Sequence, residues 1–302
     1  MKLRVKAFTL LVATLLTGTA MASDCPADFD FVAPQGHDGR SKAMAGLGAM
    51  FKASDDKDEK AFMATAADPY IQHSPDLADG MKPVWDLLTN RPEGFSSKQI
   101  PWLGEKGFLD NGDYLVMLRE VNRADGTPPS KIFDLMYFDE NGKYAEHWDM
   151  RQPLSKQTVS GRSETAAAKE FTDNPVSYDL ATEEANRRLV ASFLNLAFNG
   201  NQLETALNLY VNPTYVQHNP MIADGIQPVI DIFNAGKIPS LCYDIKYILA
   251  QNDLVWVYSK VTNPQGVSGV VDLIRVRDGE MVEHWDVVTP VPESMPHDNG
   301  LF

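Results

Sequence analysis

The sequence predicts an α+β protein made of two tandem domains, each with its helices first and an antiparallel meander after them. Three observations carry this. Residues 70–88, YIQHSPDLADGMKPVWDLL, match residues 215–233, YVQHNPMIADGIQPVIDIF, at 10 of 19 positions without a gap. Residues 132–149 and 270–286 match again, and both close on Glu-His-Trp-Asp. In both halves the apolar pattern passes from helical spacing to strand-like runs rich in Val, Ile, Tyr and Trp. The offset between the copies falls from 145 to 137 along the chain, so the repeated unit is a domain with short loop indels rather than a solenoid turn. A length of 302 residues suits two domains.

Residues 1–22 read as a secretory signal: Lys2, Arg4 and Lys6, an apolar run, then Ala20-Met21-Ala22 as a small-x-small cleavage site. The expected destination is a bacterial periplasm. Next come an N-terminal segment, 23–40, and the first domain, 41–153. A polar linker, 154–180, with a short helix around 163–171, leads to the second domain, 181–292, and a tail, 293–302. In the second domain Thr182 is the expected N-cap of a helix over 183–199, with Leu189, Val190, Phe193, Leu194 and Ala197 on its apolar face and Gly200 as its stop. A helix over 202–211 follows, then the Gln-His-Asn-Pro turn. Asp224-Gly225 opens a third helix with Pro228 in its first turn. Strands are expected over 241–251, 253–262, 268–276 and 281–288, divided by Asn263-Pro264, Gly266 and Asp278-Gly279. The first domain repeats this with strands over 100–110, 113–122, 131–138 and 144–150, and a hairpin turn at Asn141-Gly142.

Composition excludes some functions. The formal charge is −14, or −17 once the three cations of the signal are removed, and no basic stripe offers itself to nucleic acid. Beyond the signal, no stretch is long and apolar enough to span a membrane. Two cysteines, Cys25 and Cys242, are either bridged, as an oxidising compartment favours, or left as two thiols. Neither has a CxxC partner for redox chemistry. Gly-x-Ser-x-Gly elbows and phosphate-cradling glycine loops are absent.

The Tyr-x-Gln-His-x-Pro stretch and 271–286, VDLIRVRDGEMVEHWD, resemble the SnoaL-like, polyketide cyclase-like branch of the nuclear transport factor 2 superfamily. The resemblance covers roughly 44–153 and 182–290. It implies two cone-shaped domains, each with a curved sheet around helices and a pocket at one end, packed sheet to sheet as an intrachain pseudo-dimer. It also implies a small apolar ligand, with no cofactor. Relatives include cyclases, isomerases, dehydratases and non-catalytic members, so the fold alone does not choose a reaction.

Asp134 and Asp272 are each flanked by apolar strand residues, and a carboxylate there is suited to general acid or base work. In the cyclases that the sequence resembles, an aspartate on this strand does that work. Asp272, with His218 and Tyr258, is therefore the expected catalytic set, and Asp134 and His73 are the counterparts. His73 and His218 can sit at a pocket mouth or cap a proline-rich turn. By strand parity Glu and Trp of each closing quartet share one face and His and Asp the other, so Trp148 and Trp285, with His147 and His284, line a pocket or the domain interface. A metal site at His284 and His218 is the minority reading, for want of three convergent ligands. Tyr258 aligns with Leu118, so the second copy is the better placed for chemistry. The expectation is a cofactor-free acid/base enzyme acting on a small apolar carbonyl compound by aldol cyclisation, isomerisation or hydration. The alternative is a non-catalytic periplasmic binder of a small apolar ligand or a protein partner. Self-association of the chain stays open.

Overall fold

The structure, a computed structural model, describes residues 25–26, 31, 42–104 and 106–302. The segment read as an export signal lies outside these residues. The first domain contains α1 (Lys42–Asp55), α2 (Glu59–Met63), β1 (Ala66–Gln72), α3 (Met81–Thr89), β2 (Ser96–Gln99), β3 (Phe108–Asp110), β4 (Tyr114–Asn122), β5 (Ser130–Phe138) and β6 (Tyr144–Pro153). After α4 (Lys169–Asp173), the second contains α5 (Leu180–Leu194), α6 (Leu203–Tyr210), β7 (Val211–Gln217), α7 (Ile226–Asn234), β8 (Cys242–Gln251), β9 (Leu254–Asn263), β10 (Gly266–Arg277) and β11 (Glu280–Pro290). The sheets run β1-β6-β5-β4-β2, with β3 also on β4, and β7-β11-β10-β9-β8. The first strand of each domain pairs in parallel with its last, and the other pairings are antiparallel. The chain is thus α+β with two cones in tandem.

Local sequence explains where the elements depart from expectation. The stretch 100–110 is not one strand. Gly104 and Gly107 take left-handed φ of 59° and 81° and turn the chain between β2 and β3. The N-cap of α5 is Asp179, which accepts from the Thr182 amide at 2.8 Å, rather than Thr182 itself. That helix ends in a π-turn over Asn195–Asn199 before Gly200. Gly80 and Gly225, with φ of 84° and 86°, enter α3 and α7 in the same way.

Both faces of β5 and β10, the middle strands of the two sheets, are buried, and each face has its own task. In β10, Val270, Ile274 and Val276 join the core between sheet and helices of the second domain. The intervening Val271 and Leu273 join a second core with Phe133, Leu135, Trp148, Trp256, Tyr258 and Trp285, which lies between the two sheets. Four aromatic side chains there, Trp148, Trp256, Trp285 and Tyr258, are almost fully buried, so the interface carries apolar burial like that of a domain core. Its hydrogen bonds are reciprocal. The Asp110 amide donates to Gln251 Oε1 at 2.9 Å and the Ala250 amide to Asn111 Oδ1 at 3.2 Å. Matched residues exchanging matched bonds is the mark of a two-fold interface, here inside one chain.

The segments that follow each sheet cross over. Residues after β6 pack on the second domain, where the Ser163 carbonyl accepts from His218 Nδ1 at 2.7 Å. Residues after β11 pack back on the first, where the Gly300 carbonyl accepts from His73 Nδ1 at 2.9 Å. Cys25 and Cys242 form a disulfide that joins the N-terminal segment to β8. Pro26 and Phe31 also attach to the second domain, through Asn199 and the helical core. The bond spans 217 residues of sequence. Paired Cys25→Ser and Cys242→Ser substitutions should therefore lower stability in urea unfolding by about 2–4 kcal/mol.

Candidate functional site

Each cone encloses a cavity, and the two differ in chemistry. The second is about 300 Å³ and is walled mainly by apolar side chains, among them Phe193, Leu207, Val229, Val270 and Ile274. Its polar groups converge on one patch: Gln217 from β7, Asp272 from β10, and His284 and Asp286 from β11. Asp272 and Asp286 are cross-strand partners on the cone face.

His284 Nε2 lies 3.0 Å from Asp272 Oδ1, and its Nδ1 lies 3.0 Å from Gln217 Oε1. The proton positions follow from the neighbours. The Asn219 amide donates to Gln217 Oε1 at 2.8 Å, and Gln217 Nε2 donates to the Tyr215 hydroxyl at 2.6 Å. A backbone N–H can only donate, so the Gln217 atom facing His284 is an acceptor and His284 Nδ1 carries a hydrogen. Nε2 and Asp272 Oδ1 then need a proton between them, since two acceptors do not attract. The pair holds that proton by position. Burial pushes the Asp272 carboxyl above the ordinary carboxylate range, with His284 opposing and Asp286 assisting. Burial alone would lower the His284 imidazole, but Asp272 beside it raises it.

Asp272 Oδ2 is buried without a hydrogen-bond partner among the described residues, although the Tyr243 hydroxyl is close enough to act on its titration. Burial holds Tyr243 well above its ordinary value, so it keeps its O–H as a donor. Asp286 Oδ2 accepts from Asn219 Nδ2. The other oxygen faces Lys131 of the first domain at 3.6 Å, an ammonium that is itself 2.8 Å from Glu164. The second cavity thus draws a charge from across the interface.

The first cone keeps the same relay with one addition. His147 bridges Gln72 Oε1 at 2.9 Å and Asp134 Oδ1 at 3.2 Å. Arg119 of β4 grips Asp134 through Nε at 2.6 Å and Nη2 at 2.8 Å. Burial would raise Asp134, but Arg119 and His147 outweigh it and hold the carboxylate below its ordinary value. Asp134 thus has a guanidinium partner that Asp272 lacks among the described residues. In the sequence alignment Ser259 stands where Arg119 does.

His218, His73 and Tyr258 are not brought to either cavity. His218 stacks on Trp285 at 4.7 Å between centroids and meets Glu283 Oε1 at 2.9 Å. His73 does the same with Trp148 at 4.7 Å and Glu146 Oε1 at 2.7 Å. Both hold chain segments on the outer faces of the sheets. Tyr258 lies in the inter-sheet core and donates to the Leu301 carbonyl at 2.6 Å. Of the expected trio only Asp272 lines the second cavity, where His284 and Gln217 stand beside it. His218 and His284 lie on opposite faces of the sheet, and among the described residues no group of three or more His, Cys, Asp or Glu could hold a metal ion. Likewise, no helix among the described residues is long and apolar enough to cross a membrane.

No protein-family model and no curated protein matches the chain. Solved structures do. The chain is similar to a candidate polyketide cyclase from Bacillus cereus, at 17% identity over 37% of this chain and 78% of the other, with a TM-score of 0.32. It is similar to a nuclear transport factor 2-like protein of unknown function from Mesorhizobium loti, at 21% identity over 35% and 93%, with a TM-score of 0.31. A candidate ketosteroid isomerase from Kribbella flavida shares 18% identity over 38% and 84%, with a TM-score of 0.33. Each of these three structures is matched over little more than a third of this chain, about the length of one domain.

Proposed function

We propose that the second cone is the active site of an acid/base enzyme that works on a small apolar carbonyl compound, by aldol cyclisation, isomerisation or hydration. The carrying observation is Asp272: one oxygen is held by a proton-bearing His284, and the other is unpartnered at the wall of an apolar cavity. Asp272 Oδ2 takes a proton from carbon beside the carbonyl and later returns it. His284 stays on Oδ1 and keeps the carboxyl oriented through both transfers. Tyr243 donates to the oxyanion that forms as the proton leaves. The apolar wall excludes water, which strengthens each of these interactions.

We further propose that the protein is exported and acts in a periplasm. The basic, then apolar leader and the Cys25–Cys242 disulfide support this, because such bonds persist in oxidising compartments. A panel of small cyclic ketones in D2O tests the enzyme reading. Protein-dependent exchange of the hydrogens next to the carbonyl, saturating with ketone, is expected. Binding at the second cone with no exchange across the panel would instead make the protein a carrier.

A further inference from the structure

The first cone carries a feature that the second lacks: an excess of guanidinium. Its cavity, about 240 Å³, is lined by Arg119 and Arg91 as well as by apolar residues such as Leu47, Met50, Val84 and Leu88. Arg119 gives Nε and Nη2 to Asp134, and among the described residues no hydrogen bond engages its Nη1. Arg91 follows α3 at the cavity mouth, where it is exposed and lies over the Phe95 ring at 5.0 Å. It makes no ion pair among the described residues, and Asp55 acts on it only weakly. Burial and the Arg119 charge both push the Arg91 guanidinium below its ordinary value, as expected of two like charges that share one space.

The acids of this cavity do not balance that charge. Asp134 is engaged by Arg119 and His147. Burial pushes the Asp149 carboxyl upward, towards its neutral form. In the second cavity no lysine or arginine lines the wall, and two aspartates do. The two cavities therefore differ in their guanidinium groups around similar apolar walls.

We propose that the first cone is a binding site for a small carboxylate with an apolar body, its carboxylate set between Arg91 and Arg119 and its body against the α1 and α3 side of the cone. Two guanidinium groups present planar N–H pairs that match a carboxylate. The cavity volume limits the body to a few carbons or one ring. This site is independent of the chemistry proposed for the second cone.

Methionines placed by the sequence make the test direct. Met50 and Met117 line the first cavity, and Met221 and Met281 line the second. Titration of methyl-labelled full-length protein with hexanoate and benzoate should shift Met50 and Met117. Binding should be about tenfold or more tighter than for hexanamide and benzamide, which lack the charge. Arg91→Met, an exposed substitution that leaves the Arg119–Asp134 pair intact, should remove that preference. Equal binding of acid and amide, shifts at Met221 and Met281 alone, no binding at millimolar acid, or an unchanged preference in Arg91→Met would each overturn the proposal.

Discussion

Glu283→Ala should destabilise the protein by about 3–5 kcal/mol, the usual cost of breaking a buried ion pair from one side. Glu283 is fully buried. It accepts from Arg275 Nε at 2.9 Å and from the Ala168 amide at 2.5 Å, and it meets His218 Nε2 at 2.9 Å. Its removal leaves the Arg275 guanidinium with Asp253 alone and takes the acceptor from His218 Nε2 and from the Ala168 amide, beneath the segment that crosses from the first domain. A loss of this size is a large share of a typical domain's stability. Glu146 supplies the control within the same molecule. It occupies the matched position but among the described residues meets only His73, and its side chain is 25% exposed, so Glu146→Ala should cost only about 0.5–1.5 kcal/mol. Denaturant unfolding of the two variants checks the ranking. Equal losses would show that the two outer faces are equivalent after all.

Asp272→Asn should fold with near-normal stability and lose about 10²–10⁴-fold of any ketone hydrogen exchange, the range that general acid–base groups contribute. The change is nearly isosteric, and an asparagine oxygen can still accept from His284. What it removes is the basic oxygen at the cavity wall. Asp134→Asn should behave oppositely. Arg119 would lose its buried counter-charge, so stability should fall by roughly 3–5 kcal/mol, while exchange at the second cone persists in the folded fraction. An Asp272→Asn protein with full turnover would remove Asp272 from the chemistry.

Much of the fold was legible because the sequence repeats itself. Two copies of Asp-Gly-x-x-Pro and of Glu-His-Trp-Asp match α3 with α7 and β6 with β11 from the sequence alone. Parity within the closing quartets correctly separated Trp285 from His284, because neighbouring strand residues face opposite ways. Parity was harder to use in β9. Val255 and Val257 face the helices and Trp256 and Tyr258 face the other sheet, so both faces are apolar and no alternation marks which is the cone. That is why Tyr258 was drawn into the site. In the Gln-His turn the histidine drew attention, yet Gln217 is the residue on the cone side and His218 supports the crossing segment. Parity counted from the turn would have favoured Gln217. Nothing within its own strand marks Arg119, a cation aligned with Ser259. Its pairing with Asp134 depends on β4 and β5 lying side by side, which no single-strand pattern reveals.

The most direct measurement is ¹⁵N NMR of the His284 side chain through pH, in the wild-type chain and in Asp272→Asn. A histidine raised by its partner contributes stability that is complete below its unfolded value, near the ordinary 6.5, and is lost as pH rises through the folded value. The predicted spectrum shows Nδ1 protonated throughout, Nε2 losing its proton above pH 6.5, and a fall in that midpoint in Asp272→Asn. A neutral ring bearing its hydrogen only on Nε2, or a midpoint that Asp272→Asn leaves in place, would contradict a shared proton at the wall of the second cone.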